Sequence, residues 1–152
     1  MKILEQYENK IINADCLDIL RKLPDKCVDL VLTDPPYGIG NKFTSKYGLQ
    51  KRKSKRGSFD WNEKIPSKEI FDEIMRVSKN QIIFGGNYFI QYLKPTNAWL
   101  VWDKIGQYDL KNPFSDCELA WTSFSCTVKK YTFVNMGFIS GKDENSLRPR
   151  AK

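Results

Sequence analysis

The chain has 152 residues, 41% hydrophobic and 13% aromatic, enough for one domain with a packed core. Its 25 basic and 18 acidic residues give a net charge of +7, which favours a polyanionic partner. Histidine is absent, so the usual general base and the Ser-His and Cys-His pairs are excluded, and any catalysis rests on carboxylates, backbone carbonyls or a cofactor.

In chain order, Ile11 and Ile12 open a short strand, and Asp15 caps a helix that carries Leu17, Leu20 and Leu23 until Pro24 stops it. Val28 to Leu32 is an apolar strand broken only by Asp29, of the kind buried between helix layers. Ser67 precedes "KEIFDEIMRVSK", where Ile70, Ile74 and Val77 repeat at helical spacing, as do Phe71 and Met75. "QIIFGG" reads as the next strand, followed by a helix from Asn87 to Lys94 that Pro95 ends. "AWLVWDK", "CELAWTSF" and "KKYTFVNMGF" complete the strand candidates. The alternation predicts an α/β sheet, parallel at first and antiparallel near the end.

"LVLTDPPYGIG", residues 30–40, departs from ordinary strand endings. Proline fixes its own φ and holds the preceding residue extended, so Asp34-Pro35-Pro36 can barely flex. A rigid acid, an unclaimed carbonyl and the aromatic face of Tyr37 follow directly on a strand end. The plain alternative is a Pro-Gly turn. Ligands of α/β sheets sit at the carboxyl ends of strands, where "NADC", "DPPY" and "GGN" all fall. That convergence favours a binding site.

Cys16, Cys27, Cys117 and Cys126 show no C-x-x-C spacing, so reduced, mostly buried thiols are expected and no metal site. No apolar run is long enough to cross a bilayer and "MKILEQYENK" lacks a secretory core; no membrane partner and a cytoplasmic location are expected.

The stretch "NADCLDILRKLPDKCVDLVLTDPPY" resembles the amino-group DNA methyltransferases, most of all the circularly permuted group with D-P-P-Y, whose catalytic half comes first. "IIFGGNYF", "AWLVWDK" and "CELAWTSF" are similar to the successive strand motifs of that family, so the resemblance covers residues 11 to about 124. It implies a Rossmann-like methyltransferase sheet with helices on both faces, and residues 1–152 as its catalytic part. It further implies methyl transfer from S-adenosylmethionine to the exocyclic amino group of adenine in double-stranded DNA, in a restriction-modification setting. Asp34 and the carbonyl of Pro35, held by Pro36, would accept the amino hydrogens, with Tyr37 stacked on the extruded base. Asp15, the backbone of Cys16, and Asp34 would bind the cofactor.

The family's H-P-T-Q-K-P segment and glycine-rich cofactor loop do not occur in this sequence. The expectation is an incomplete sheet without its central strands, completed by a missing C-terminal segment or by a second copy in a homodimer. Residues 41–59 hold Lys42, Lys46, Lys51, Arg52, Lys53, Lys55 and Arg56, no acid, and the aromatics Phe43, Tyr47 and Phe59. This basic loop is expected to be mobile without DNA and to approach the phosphate backbone. The runner-up reading is a catalytically silent DNA-binding remnant. A third is methylation of RNA or of a protein amide.

Overall fold

The computed structural model describes residues 2–39, 62–106, 115–135, 139–141 and 148–149. The basic residues Lys42, Lys46, Lys51, Arg52, Lys53, Lys55 and Arg56 lie outside them, as do residues 107–114.

A short helix, α1, spans Lys2–Glu5, and α2 spans Cys16–Leu20. Asp15 caps α2 as its sequence position requires: its carboxylate accepts from the Leu17 amide at 2.8 Å. The strand expected at Ile11 and Ile12 does not form. Nothing among the described residues pairs with this segment, and Ile11 is fully exposed. An isolated extended segment has no ladder to hold it.

Strand β1 is Val28–Thr33, and α3, Lys68–Val77, leads without a loop into β2, Ser78–Phe84. Glu69 in the first turn of α3 and Arg76 in its last turn both complement the helix dipole. Phe71, Ile74 and Val77 form its buried face, whereas Ile70 and Met75, which belong to the two expected stripes, are only partly buried. Arg76 ties α3 to the end of α2. Its guanidinium donates to the Leu20 carbonyl at 2.9 Å, the Leu23 carbonyl at 2.8 Å and the Asp25 carboxylate at 2.7 Å, besides Glu73 on its own helix. Carbonyls at and just beyond the end of α2 thus receive side-chain donors, that of Leu20 in addition to the Leu23 amide.

The segment expected to be a helix from Asn87 to Lys94 is instead a 3-10 turn, Gly86–Tyr88, followed by further turns. Tyr88 donates to the Gly85 carbonyl and Tyr92 to that of Phe89, the i to i+3 pattern. Phe89 and Leu93 still reach the core, four residues apart, which is why the sequence imitates a helix.

Strands β3 (Leu100–Asp103), β4 (Cys117–Thr122) and β5 (Lys129–Thr132) complete a five-stranded sheet of order β1-β2-β4-β3-β5. β1 and β2 run parallel, and β4 is antiparallel to both β2 and β3, as expected. β5 then returns parallel to β3. Three short strands, β6 (Val134–Asn135), β7 (Ile139–Gly141) and β8 (Arg148–Pro149), form a separate antiparallel sheet.

The core gathers Phe71, Ile83, Phe89, Leu93 and Trp121, with Tyr37, Ile65, Met75, Tyr92 and Trp99 packed against it. The indole of Trp121 donates to the Lys94 carbonyl at 2.8 Å, so its polar end is satisfied. Two burial expectations need correction. β1 is an edge strand rather than a buried one: Leu30 is 43% and Leu32 62% exposed. The apolar run is real, but among the described residues only β2 flanks it. The cysteines are free thiols, as expected, yet none is buried, and Cys16, Cys117 and Cys126 are exposed. Cys16 opens α2 and Cys117 opens β4, while Cys27 directly precedes β1 and Cys126 lies in the connection between β4 and β5. No described helix is long and apolar enough to cross a membrane.

Candidate active site

The carboxyl end of β1 delivers Asp34 directly after Thr33, and the carboxyl end of β2 delivers Gly85 directly after Phe84. Because β4 is antiparallel to β2 and β3, its first residues and the end of β3 reach the same sheet edge, as Asp103 pairing with Cys117 shows.

Asp34 and Tyr37 face each other across the two prolines, and the phenol donates to Asp34 Oδ1 at 2.5 Å. Asn62, beyond the basic stretch, fixes the turn that follows: its Oδ1 accepts from the amide of Tyr37 at 2.8 Å and that of Gly38 at 3.2 Å. The Tyr37 ring lies on Tyr88 with centroids 4.8 Å apart and planes 12° from parallel. It also leans on Phe89 at 6.2 Å, which joins the site to the core. Burial, then the bond to Asp34, then the negative charges of Asp34 and Glu118 hold the Tyr37 phenol far above its usual pKa. The phenol stays a donor at neutral pH.

Gly85 makes this approach possible. Its φ is +67°, and a Cβ built there would lie 2.1 Å from Cε1 of Tyr37. Gly86 is as confined on its other side, where a Cβ would lie 2.5 Å from Cβ of Trp121.

The Asp34–Tyr37 segment contributes to the lining of two cavities. One, of about 690 Å³, is lined by Asp34, Pro35 and Pro36, by Ala14 and Cys16, and by apolar side chains that include Ile12, Val31, Leu32, Ile65 and Ile70. Cys16 and Asp34, far apart in sequence, thus border one cleft. Asp15 stands beside Cys16 with its Oδ1 engaged as the α2 cap. The second cavity, of about 480 Å³, is lined by Tyr37, Gly85, Asn87, Tyr88, Lys104, Ser115 and Glu118 among others.

Asn62, Tyr88, Lys104 and Glu118 were not marked as site residues by sequence reasoning. Gly85 carried a signal, a glycine pair at a strand end, but not its purpose. Asn62 carried none, since no local pattern links it to residues 37 and 38.

Over 91 residues the chain is 32% identical to the Type II methyltransferase M.BamHI of Bacillus amyloliquefaciens, a match covering 60% of this chain and 19% of that protein. It is 28% identical over 142 residues to the Type II methyltransferase M.HpaI of Haemophilus parainfluenzae, covering 83% of this chain and 41% of that one. A 39-residue stretch is 54% identical to the Type II methyltransferase M.BglII of Bacillus subtilis, covering 26% of this chain and 11% of that one. No family model matches. The chain spans less than half the length of each of these relatives, and all three are type II methyltransferases.

Proposed function

We propose that this chain is the catalytic part of an S-adenosylmethionine-dependent DNA methyltransferase of the D-P-P-Y group, acting on the exocyclic amino group of adenine. The observation that carries the reading is Asp34, a carboxylate rigidly set at a strand end on the border of an apolar cleft and bonded to Tyr37, which lines a second cavity. Similarity to type II methyltransferases supports it.

The apolar cleft fits the cofactor chemically. At about 690 Å³ it falls within the roughly 300–1,000 Å³ of small-molecule pockets. Its walls suit an adenosyl group, and Asp34 at its border suits a sulfonium cation. Asp15, Cys16 and Asp34 are the residues that would hold S-adenosylmethionine, which supplies the methyl group.

Adenine's amino lone pair is delocalised into its ring. Accepting both amino hydrogens at Asp34 and at the carbonyl of Pro35 draws that pair out of conjugation and aims it. Pro36 keeps the two acceptors in register. The base must leave the duplex, at a cost of a few kcal/mol, which stacking on Tyr37 partly offsets. Orientation and preset electrostatics supply the acceleration, and no covalent intermediate is needed.

Lys42, Lys46, Lys51, Arg52, Lys53, Lys55 and Arg56 would follow the phosphates of double-stranded DNA. Among the described residues β1 stands at the end of the sheet, which supports a further strand pairing with its edge. The test is incubation of the full-length protein with labelled cofactor and duplex DNA, followed by digestion to nucleosides. Label in N6-methyladenine is expected; label in methylcytosine or on protein contradicts the reading.

A further inference from the structure

The second cavity holds an ion pair that the proposed chemistry does not use. Lys104 Nζ lies 2.9 Å from Glu118 Oε1 and 3.4 Å from Ser115 Oγ. Its side chain is 16% exposed, the lowest of any cation in the ion pairs among the described residues, and that of Glu118 is 28% exposed. Withdrawing a cation this far from water is costly, and an apolar pair would line the wall at least as stably. The pair shares its cavity with the Tyr37 and Tyr88 rings and the Gly85 backbone. The charge of Glu118 is felt at the Tyr37 hydroxyl, so pair and platform are close.

Resting on the reading above, we infer that Lys104 donates a hydrogen bond to the acceptor ring nitrogen beside the amino group of the extruded base, with Glu118 positioning its ammonium. The chemistry is selective. Lysine has three donors and no acceptor. Adenine and cytosine present a bare ring nitrogen next to their amino group, whereas guanine and thymine present an N–H at the equivalent place. An ammonium there welcomes the first two and rejects the others.

The experiment titrates the full-length protein with dAMP, dCMP, dGMP and dTMP, following binding by calorimetry, in wild type and in Lys104→Met, Lys104→Arg and Glu118→Gln. Wild type should bind dAMP more tightly than dGMP or dTMP. Lys104→Met should lose about 10- to 100-fold in dAMP affinity, the range of a charge-assisted hydrogen bond, and most of the discrimination. Lys104→Arg should keep most of both, and Glu118→Gln should lose less than Lys104→Met.

Unchanged dAMP affinity in Lys104→Met overturns the inference. So does an equal loss for all four nucleotides, which would indicate a phosphate contact. If wild type labels DNA with methyl while Lys104→Met keeps its selectivity, the inference falls and the methyltransferase reading stands. If wild type neither labels DNA nor binds any nucleotide, both fall.

Discussion

Replacing Gly85 by alanine should displace Tyr37 and destabilise the protein through it. Two separate costs arise. An L-residue at φ +67° costs roughly 1–2 kcal/mol whatever surrounds it. The new Cβ would also meet Tyr37 Cε1 at 2.1 Å, Cδ1 at 2.6 Å and Cζ at 2.7 Å, so the ring must leave. Leaving forfeits the stack on Tyr88, about 0.5–1.5 kcal/mol, and the bond to Asp34. Tyr37 is only partly buried, so water recovers much of that bond, and about 1 kcal/mol is lost with it. The total is about 2.5–4.5 kcal/mol. At roughly 2–4 °C per kcal/mol for a chain of this size, the melting temperature should fall by about 5–18 °C. Urea unfolding of wild type, Gly85→Ala, Tyr37→Ala and the double variant separates the terms. In the Tyr37→Ala background only the roughly 1–2 kcal/mol of backbone strain should remain, a coupling of about 1 kcal/mol or more. Equal penalties in both backgrounds would refute the claim that Gly85 exists to admit the ring.

The raised pKa of Tyr37 means its stabilising proton is fully held below the ordinary tyrosine value and its contribution fades as pH rises beyond it. Between about pH 10 and 11.5 wild type should lose more stability than Tyr37→Phe, and parallel curves would count against the buried phenol. Arg76→Met removes the donors to Leu20, Leu23 and Asp25 and should lower the urea midpoint, with no rescue by Arg76→Lys, since an ammonium cannot span those acceptors; an unchanged midpoint would count against the tie between the helices. Changing Lys51, Arg52, Lys53, Lys55 and Arg56 together to serine should weaken DNA binding for all sequences. It should also lower the salt slope by roughly 0.9 per lost phosphate contact, and an unchanged slope would leave that stretch without a phosphate role.

The elements the sequence announced are those whose information is local. α3 was legible because Phe71, Ile74 and Val77 repeat within three turns behind Ser67. The α2 cap was legible because Asp15 needs only the amide two residues on. The Asp34–Tyr37 segment stood out because two prolines constrain it from within. What failed depended on neighbours. Val28–Thr33 has the composition of a buried strand, but burial belongs to whatever lies alongside, and only β2 does among the described residues. Ile11 and Ile12 have β-branched character and no partner strand among the described residues. At Asn87 to Lys94, Phe89 and Leu93 gave helical spacing while left-handed Gly85 and i to i+3 bonding set another path. The clasp of Asn62 on residues 37 and 38, and the fit of Tyr37 over Gly85, join distant positions that no pattern in one sequence connects.

The claim at the centre is that the Asp34 carboxylate activates the amino group. It is tested most directly by single-turnover methyl transfer to duplex DNA, comparing the full-length protein with its Asp34→Ala variant. Asp34, directly after β1, is exposed, so the variant should keep its fold and its DNA affinity. Its transfer rate should fall at least about 100-fold, the scale of losing one preset electrostatic contact to the reacting group. A variant that transfers within a few-fold of wild type, or one that loses DNA affinity in step with rate, would contradict the account.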